Sequence, residues 1–450
     1  MAYGDFPKNF RFGAATSSLQ VEGSPLADGA GNTTWGVLAA APGGINDNSN
    51  FDTACDFYHR YPQDIALMKE IGIDMFRFSI NWARIFPEGY GKYNAGGMDF
   101  YKRLCEELLK NGITPFATLH HWELPQALEE QFGGWRSKET AKYFGEFAEK
   151  VGTELSGMVK NYFTVNEIEN FTDACYNTRG AYFPPNVKCD RKTERQAVHN
   201  GLLGHGLAVQ ALRRTSTKDT EIGLAENPVV FTPAIETPEN IAAAQKAFRL
   251  VNASKLTAIC EGAYPEEYLE EMGSDAPCFT DEEMKIIASP LDFLGLNIYH
   301  GTYTISDGNG GFRILPWPEG FPITQMSWGR VTPEALYWGI RHSAELWDAP
   351  KFYITENGCA TADVPDEHGK VYDVERTMFL RAYMQNMLRA SQEGFNLSGY
   401  FAWSFFDNFE WREGLSRRFG IIRVNYETQE RIPKLSGDFF KEIIRTRKLL

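Results

Sequence analysis

The chain has 450 residues, of which 43% are hydrophobic and 14% aromatic, enough to bury a large core. Its 41 glycines and 22 prolines are near average usage, which excludes collagen-like and largely disordered chains. The net charge of -14 and the lack of a basic cluster argue against a nucleic-acid partner. No run of 18 apolar residues occurs, so we expect no membrane-spanning segment.

Short apolar runs alternate with segments of helical periodicity along the chain. The runs are 10–18, 73–80, 113–119, 162–166, 221–227, 291–299, 351–357 and 397–405. The helical segments are 61–71, 99–111, 138–158, 193–214, 239–260, 333–347, 374–393 and 435–449. Strands that alternate with helices predict a parallel sheet, and about eight such units predict a closed α/β barrel. We therefore expect one TIM-barrel domain over 1–450, with long loops at 25–50 and 306–330.

The cysteines indicate a reducing environment. The chain has 7 of them, widely spaced and without a CxxC pair, which is typical of reduced thiols. The first 13 residues, MAYGDFPKNFRFG, lack the apolar stretch of a secretion signal. We therefore expect a cytoplasmic protein.

Active sites of such barrels lie at the carboxyl ends of the strands, so the residues that end each run are the functional candidates. Two of them, Glu167 and Glu356, are carboxylates that follow β-rich runs. Hydrolysis of a glycosidic bond needs such a pair, one protonated to assist the leaving oxygen and one ionised to attack the anomeric carbon. A single glutamate among 59 acidic residues is more often a surface group, but two at strand ends of one barrel predict a glycosidase.

Long motifs in one order extend this interpretation to nearly the whole chain. They include FGAATSSLQVEG (12–23), the segment 52–89, TLHHWELP (118–125), TVNE (164–167), LGLNIY (294–299), ITENG (354–358) and GYFAWSFFDNFEW (399–411). With these motifs the sequence resembles glycoside hydrolase family 1, the β-glucosidase family. Several long motifs in order are far more specific than one short motif.

The resemblance implies a role for each candidate. Glu167 matches the acid/base of the family and Glu356 its nucleophile, which should lie about 5–5.5 Å apart in a retaining enzyme. Arg77 and Tyr299 match residues that contact the nucleophile, and Asn166 matches the residue that holds the sugar 2-hydroxyl. The matches to groups that bind the remaining hydroxyls and the sugar ring are Gln20, His121, Glu410, Trp411 and Trp403.

Tryptophans can serve either as core or as sugar platforms. Trp122, like Trp403 and Trp411, lies in a strand-end motif, where an aromatic face can pack on the apolar face of a sugar. Trp328 lies in a long loop, where lining the cleft mouth and simple packing are both compatible with its position. The tryptophans predicted to be core are Trp35, Trp82, Trp135, Trp338 and Trp347.

The chain departs from the family pattern near the acid/base. Val165 and Ile168 stand where the family usually has phenylalanine and proline, Glu123 where it has aspartate, and Ile298 where an aromatic is common. These changes bear on leaving-group preference rather than on the class of reaction.

We therefore expect a retaining β-glucosidase that removes terminal non-reducing β-D-glucosyl residues from small glycosides or oligosaccharides. A β-galactosidase or β-fucosidase of the same family is the alternative, followed by a non-catalytic glycan-binding relative, although such relatives lose a catalytic glutamate. No cofactor is implied, and no metal, because His120 and His121 lack a third ligand in a zinc-like spacing. The expected partner is a small glycoside, and an oligomer stays possible.

Overall fold

The computed structural model describes residues 4–180, 182–347 and 349–449. Eight parallel strands close into a barrel, in which each strand pairs with its neighbours in sequence and the first pairs with the eighth. In chain order the barrel strands are Arg11–Ala15, Met75–Ser79, Thr114–His120, Asn161–Asn166, Glu221–Glu226, Phe293–Asn297, Phe352–Asn357 and Leu397–Trp403. The predicted TIM barrel is confirmed.

A long helix follows each barrel strand and covers the outside of the barrel. These helices are Phe57–Ile71, Ala95–Lys110, Lys138–Glu154, Arg191–Thr215, Pro238–Val251, Glu334–Leu346, Val374–Gln392 and Leu435–Thr446. Three of them begin at a capping side chain, because Ser137, Asp190 and Thr237 each accept a hydrogen bond from a backbone N–H of the first turn. Within the described part of the chain, no helix has the length and apolarity needed to cross a membrane.

The segments between these elements carry more structure than the sequence predicted. The segment 25–50, predicted as a loop, contains the helix Thr34–Ala40, and the loop 306–330 begins inside a small sheet. That sheet joins Gly301–Ser306 to Phe312–Ile314 and to Val230–Pro233. Pairing between distant segments, rather than local periodicity, stabilises such short strands. Further short strands are Tyr176–Asn177, Val187–Lys188, Ile422–Val424 and Arg431–Pro433.

Short helical turns occupy many of the loops. They are Ser18–Val21, Ala27–Gly29, Trp82–Ile85, Gln126–Phe132, Gly134–Arg136, Ile168–Phe171, Ala253–Thr257, Ala258–Glu261, Glu266–Met272, Gly273–Asp275, Asp281–Ile287 and Trp411–Glu413.

The core has two layers. The barrel interior is filled by large side chains that include Met75, Phe116, Phe163, Phe293, Tyr353 and Phe401. A second apolar layer lies between the barrel and its helices, and all five tryptophans predicted as core are buried. Because side chains fill the interior, the barrel is a packed core, and its open site lies at the carboxyl ends of the strands.

Candidate active site

A cleft of about 630 Å³ opens at the carboxyl ends of the barrel strands. Nine of the predicted site residues line it: His121, Trp122, Glu167, Tyr299, Trp328, Glu356, Trp403, Glu410 and Trp411. The other three, Gln20, Arg77 and Asn166, are fully buried directly behind these residues and hydrogen-bond to them. Barrel closure therefore brings all of the predicted site residues to one place.

Glu356 lies in the seventh barrel strand with its carboxyl oxygens held by donors. Arg77 Nη1 donates to Oε1 at 2.6 Å, and the Tyr299 hydroxyl donates to Oε2 at 2.7 Å. Burial raises the pKa of Glu356 above its usual value, and the charge of Arg77 and the hydrogen bonds from Tyr299, Arg77 and Asn297 offset part of that rise. The donors therefore favour the carboxylate form.

Glu167 follows the fourth barrel strand and faces the same cleft. Its donors are neutral amides: Asn297 Nδ2 donates to Oε1 at 2.7 Å, and Asn170 Nδ2 donates to Oε2 at 2.5 Å. Burial, and after it the charge of Glu356, raises the pKa of Glu167 well above its usual value. Glu356 has a cationic donor and Glu167 has none, so Glu356 ionises first and Glu167 retains its proton.

Asn166 links Arg77 and Asn297, which donate to the two carboxyls, to His121 in the wall of the cleft. Its Oδ1 accepts from Arg77 Nη2 at 2.5 Å and from Asn297 Nδ2 at 3.0 Å, and its Nδ2 lies 3.2 Å from His121 Nε2. Burial lowers the pKa of His121 well below its usual value, so the ring is neutral. Since Nε2 accepts from Asn166, the proton lies on Nδ1, which has no partner among the described residues.

Glu410 is a third carboxyl of the cleft. Gln20 Nε2 lies 3.4 Å from its Oε2 and donates to the Phe409 carbonyl at 2.9 Å. Burial and the charge of Glu356 raise the pKa of Glu410 to about 8. At neutral pH this group is therefore mostly a neutral carboxyl, which can donate one hydrogen bond and accept others.

Aromatic rings form the walls of the cleft. Trp122 and Trp411 stack with ring centroids 4.4 Å apart, and Trp403 lies parallel to the His121 ring at 5.7 Å. Trp122 Nε1 donates to the Asn166 carbonyl at 3.0 Å, which fixes the indole. Trp328 is 42% exposed at the mouth and meets Tyr299 edge-on at 5.5 Å.

Three important contacts were not predicted from the sequence. Asn297 ends a barrel strand, but its bridge between Asn166 and Glu167 depends on the packing of neighbouring strands. The hydrogen bonds from Asn170 Nδ2 to Glu167, and from the Ile168 N–H to Glu226, likewise form only on folding. Both Asn297 and Glu226 end barrel strands, and this position at a strand end is the sequence signal that points to them.

Known proteins match the chain over its full length. The sequence model described as Glycosyl hydrolase family 1 matches residues 2–449. The chain belongs to glycosyl hydrolase family 1. This family 1 chain is 40% identical to beta-glucosidase A of Thermotoga maritima, over 99% of this chain and 98% of that protein. It is also 40% identical to beta-glucosidase A of Acetivibrio thermocellus, over 98% of each.

The structural comparison gives the same family. The solved family 1 β-glucosidase from Thermotoga maritima matches this glycoside hydrolase with a TM-score of 0.90 at 38% identity, covering 100% of both chains. The family predicted from the motifs is confirmed.

Proposed function

We propose that this family 1 glycoside hydrolase is a retaining β-glucosidase, with Glu356 as nucleophile and Glu167 as general acid/base. The observation that carries the proposal is the unequal pair of buried carboxyls in one cleft. Glu356 is held by the cation Arg77 and the Tyr299 hydroxyl, whereas amides alone hold Glu167. One carboxylate and one carboxylic acid are what the first step of double displacement requires.

In that step the Glu356 carboxylate attacks the anomeric carbon from the α face. Glu167 gives its proton to the glycosidic oxygen, the bond to the aglycone breaks, and an α-glucosyl ester of Glu356 forms. Esterification removes the negative charge of Glu356, one of the causes that raise the pKa of Glu167. The pKa of Glu167 therefore falls once the ester exists, which prepares the same residue to act as a base.

In the second step Glu167 takes a proton from water, and the resulting hydroxyl attacks the anomeric carbon from the β face. The ester bond breaks, Glu356 leaves as a carboxylate, and β-glucose is released with its configuration retained. Arg77 and Tyr299 stabilise the charge that returns to Glu356 at this point.

The polar wall of the cleft suits the hydroxyls of one sugar ring. His121 contributes a neutral imidazole to this wall, and Glu410 contributes a carboxyl that can both donate and accept. Trp403 and Trp411 supply aromatic surface for the apolar face of the ring. Glucose is favoured because the matched relatives from Thermotoga maritima and Acetivibrio thermocellus are named beta-glucosidases. A structure of the Thermotoga maritima enzyme is described in complex with galacto-hydroximolactam, so galactosides belong in the assay.

Azide rescue tests the two roles separately. On an activated aryl β-glucoside, Glu356→Gly should be inactive, and azide should restore turnover as the α-glucosyl azide because the anion replaces the nucleophile. Glu167→Gly should still form the ester, which azide then opens to the β-glucosyl azide. Glu221→Gly, at the opposite end of the barrel, is the control and should give neither azide. Reversed anomers would overturn the assignment.

We further propose that the barrel domain is the whole catalytic unit and that it works in the cytoplasm. The barrel elements run from Arg11 to Thr446, and all 7 cysteines are free, which suits a reducing compartment. Cell fractionation that recovers the activity outside the cytoplasm would contradict the location.

A further inference from the structure

Glu226 is a buried carboxyl that lies beneath the proposed acid/base. It ends the fifth barrel strand, Glu221–Glu226, next to the strand that leads into Glu167, and only 1% of it is exposed. Its Oε2 accepts a hydrogen bond from the Ile168 backbone N–H at 3.0 Å. The two-step reaction described above assigns it no part.

The end of the fifth strand holds the peptide groups on both sides of Glu167. The Glu167 N–H donates to the Ala225 carbonyl at 2.8 Å, and the following N–H, that of Ile168, donates to Glu226. Glu167 itself has φ 49° and ψ 80°, in the left-handed region that a residue with a side chain adopts only when its surroundings impose it. Because ψ of Glu167 sets the direction of the Ile168 N–H, the bond to Glu226 fixes that angle.

We propose that Glu226 is a positioning residue, which holds the acid/base Glu167 in its working conformation through the Ile168 amide and adds a negative charge behind it. This inference rests on the role proposed for Glu167. Glu226 touches neither the substrate nor the reacting atoms.

Several charged and titratable groups surround Glu167 and Glu226. The charged and titratable groups that face Glu167 and Glu226 are Glu356, Tyr299, Lys255, Glu169 and Asp173, with Arg195 beyond Asp173. Lys255 Nζ lies 3.2 Å from Glu169 Oε2 and 3.2 Å from Asp173 Oδ2.

The balance of these charges lets Glu226 ionise near neutral pH. Burial raises the pKa of Glu226 to about 7, opposed by the bond from Ile168 and the charge of Lys255. The charge of Glu226 in turn raises the pKa of Glu167. Above neutral pH, Glu226 therefore helps Glu167 to keep the proton that it must donate.

Glu226→Gln tests the charge, because glutamine keeps an acceptor for the Ile168 N–H. In the pH profile of kcat/KM, the alkaline limb should move to lower pH by roughly half a pH unit or more. The cause is the loss of a neighbouring negative charge that held the proton on Glu167. The value of kcat/KM at the optimum should change by less than about threefold. Glu221→Gln, at the amino end of the same strand, is the matched control and should leave the limb in place.

Glu226→Leu tests the hydrogen bond to the Ile168 amide, because leucine leaves that buried N–H without an acceptor. For a glucoside with a poor leaving group, which needs acid assistance, kcat/KM should fall by about tenfold or more. For a 2,4-dinitrophenyl glucoside, which needs none, the loss should stay below about threefold. Adding Ile168→Pro to Glu226→Leu removes the unpaired N–H. Ile168 begins the helix Ile168–Phe171, where proline is tolerated, so the double variant should recover most of the lost kcat/KM on the glucoside with a poor leaving group.

If Glu226 has a merely structural role, Glu226→Leu should lose kcat/KM equally on both substrates and the double variant should not recover it. The alkaline limb of Glu226→Gln should then also stay in place. Any of these results overturns the inference. If Glu226→Leu does not fold, as judged by thermal unfolding, Glu226→Gln and the double variant decide. Glu167→Gln is measured beside them. If this variant keeps the alkaline limb of the pH profile, the proposed function fails. If it loses that limb while the Glu226 variants behave like the unaltered enzyme, only this inference fails.

Discussion

Tyr299→Phe offers a direct measure of how the cleft keeps Glu356 ionised. The Tyr299 hydroxyl donates to Glu356 Oε2 at 2.7 Å, and burial raises the pKa of Tyr299 well above its usual value, so the phenol remains a neutral donor. Phenylalanine removes the hydroxyl and leaves the ring, so the edge-on packing against Trp328 is retained.

The magnitude follows from the strength of a hydrogen bond to a charged group, about 1.5–3 kcal/mol. Because about 1.4 kcal/mol corresponds to one pKa unit, loss of the donor should raise the pKa of Glu356 by roughly one to two units. The sign is upward, since the lost bond stabilised only the ionised form. Protonated Glu356 cannot attack, so the acid limb of kcat/KM should move to higher pH by the same amount.

The assay is the pH profile of kcat/KM for an aryl β-glucoside. At a pH on the acid limb, Tyr299→Phe should be about 10- to 100-fold slower than the unaltered enzyme, and the two should converge as pH rises. Tyr303→Phe is the matched control, because its hydroxyl pairs with Glu334 at 3.3 Å, away from the cleft. An acid limb that stays in place, or a loss that is equal at every pH, would refute the role given to this hydrogen bond.

Four further predictions use other groups. Glu167→Gln, assayed on a substrate that needs no acid help, should lose the alkaline limb of its pH profile, and persistence of that limb would assign it to another residue. Glu410→Ser should lower kcat/KM on β-glucosides by roughly 10- to 100-fold, the cost of about two lost hydrogen bonds to sugar hydroxyls, in steady-state assays. The unaltered enzyme should be at least about a hundredfold worse on 6-phospho-β-glucosides, because the buried Glu410 carboxyl gives a phosphate group no compensating positive charge; equal rates would remove Glu410 from sugar recognition. The Lys434 side chain is fully buried, with Nζ 2.5 Å from Asp407 Oδ1, so Lys434→Met should lower the free energy of unfolding by about 3–5 kcal/mol. Lys441→Met, at an exposed ion pair with Glu70, is the control and should change thermal unfolding little.

The barrel could be predicted because its signal is local. Strands covered on both sides are apolar along their length, so each predicted run matches a barrel strand to within 3 residues at either end. The helical segments are visible for a similar reason, since one face of each packs on the barrel. The small sheet at Val230–Pro233 was missed because strands of this length are stabilised by partners far along the chain.

The sequence by itself determined the order of strands and helices, the family, and which residues end each strand. Barrel topology then places those residues at one end, because parallel strands present their carboxyl ends together. Only the tertiary structure decided which oxygen meets which donor: Asn297 and Glu167 are 130 residues apart, and Glu226 and Ile168 are 58 apart. The unequal pKa values of Glu167 and Glu356 also arise at this level, because burial and charges from distant segments shift them, and neither can be read from neighbouring residues.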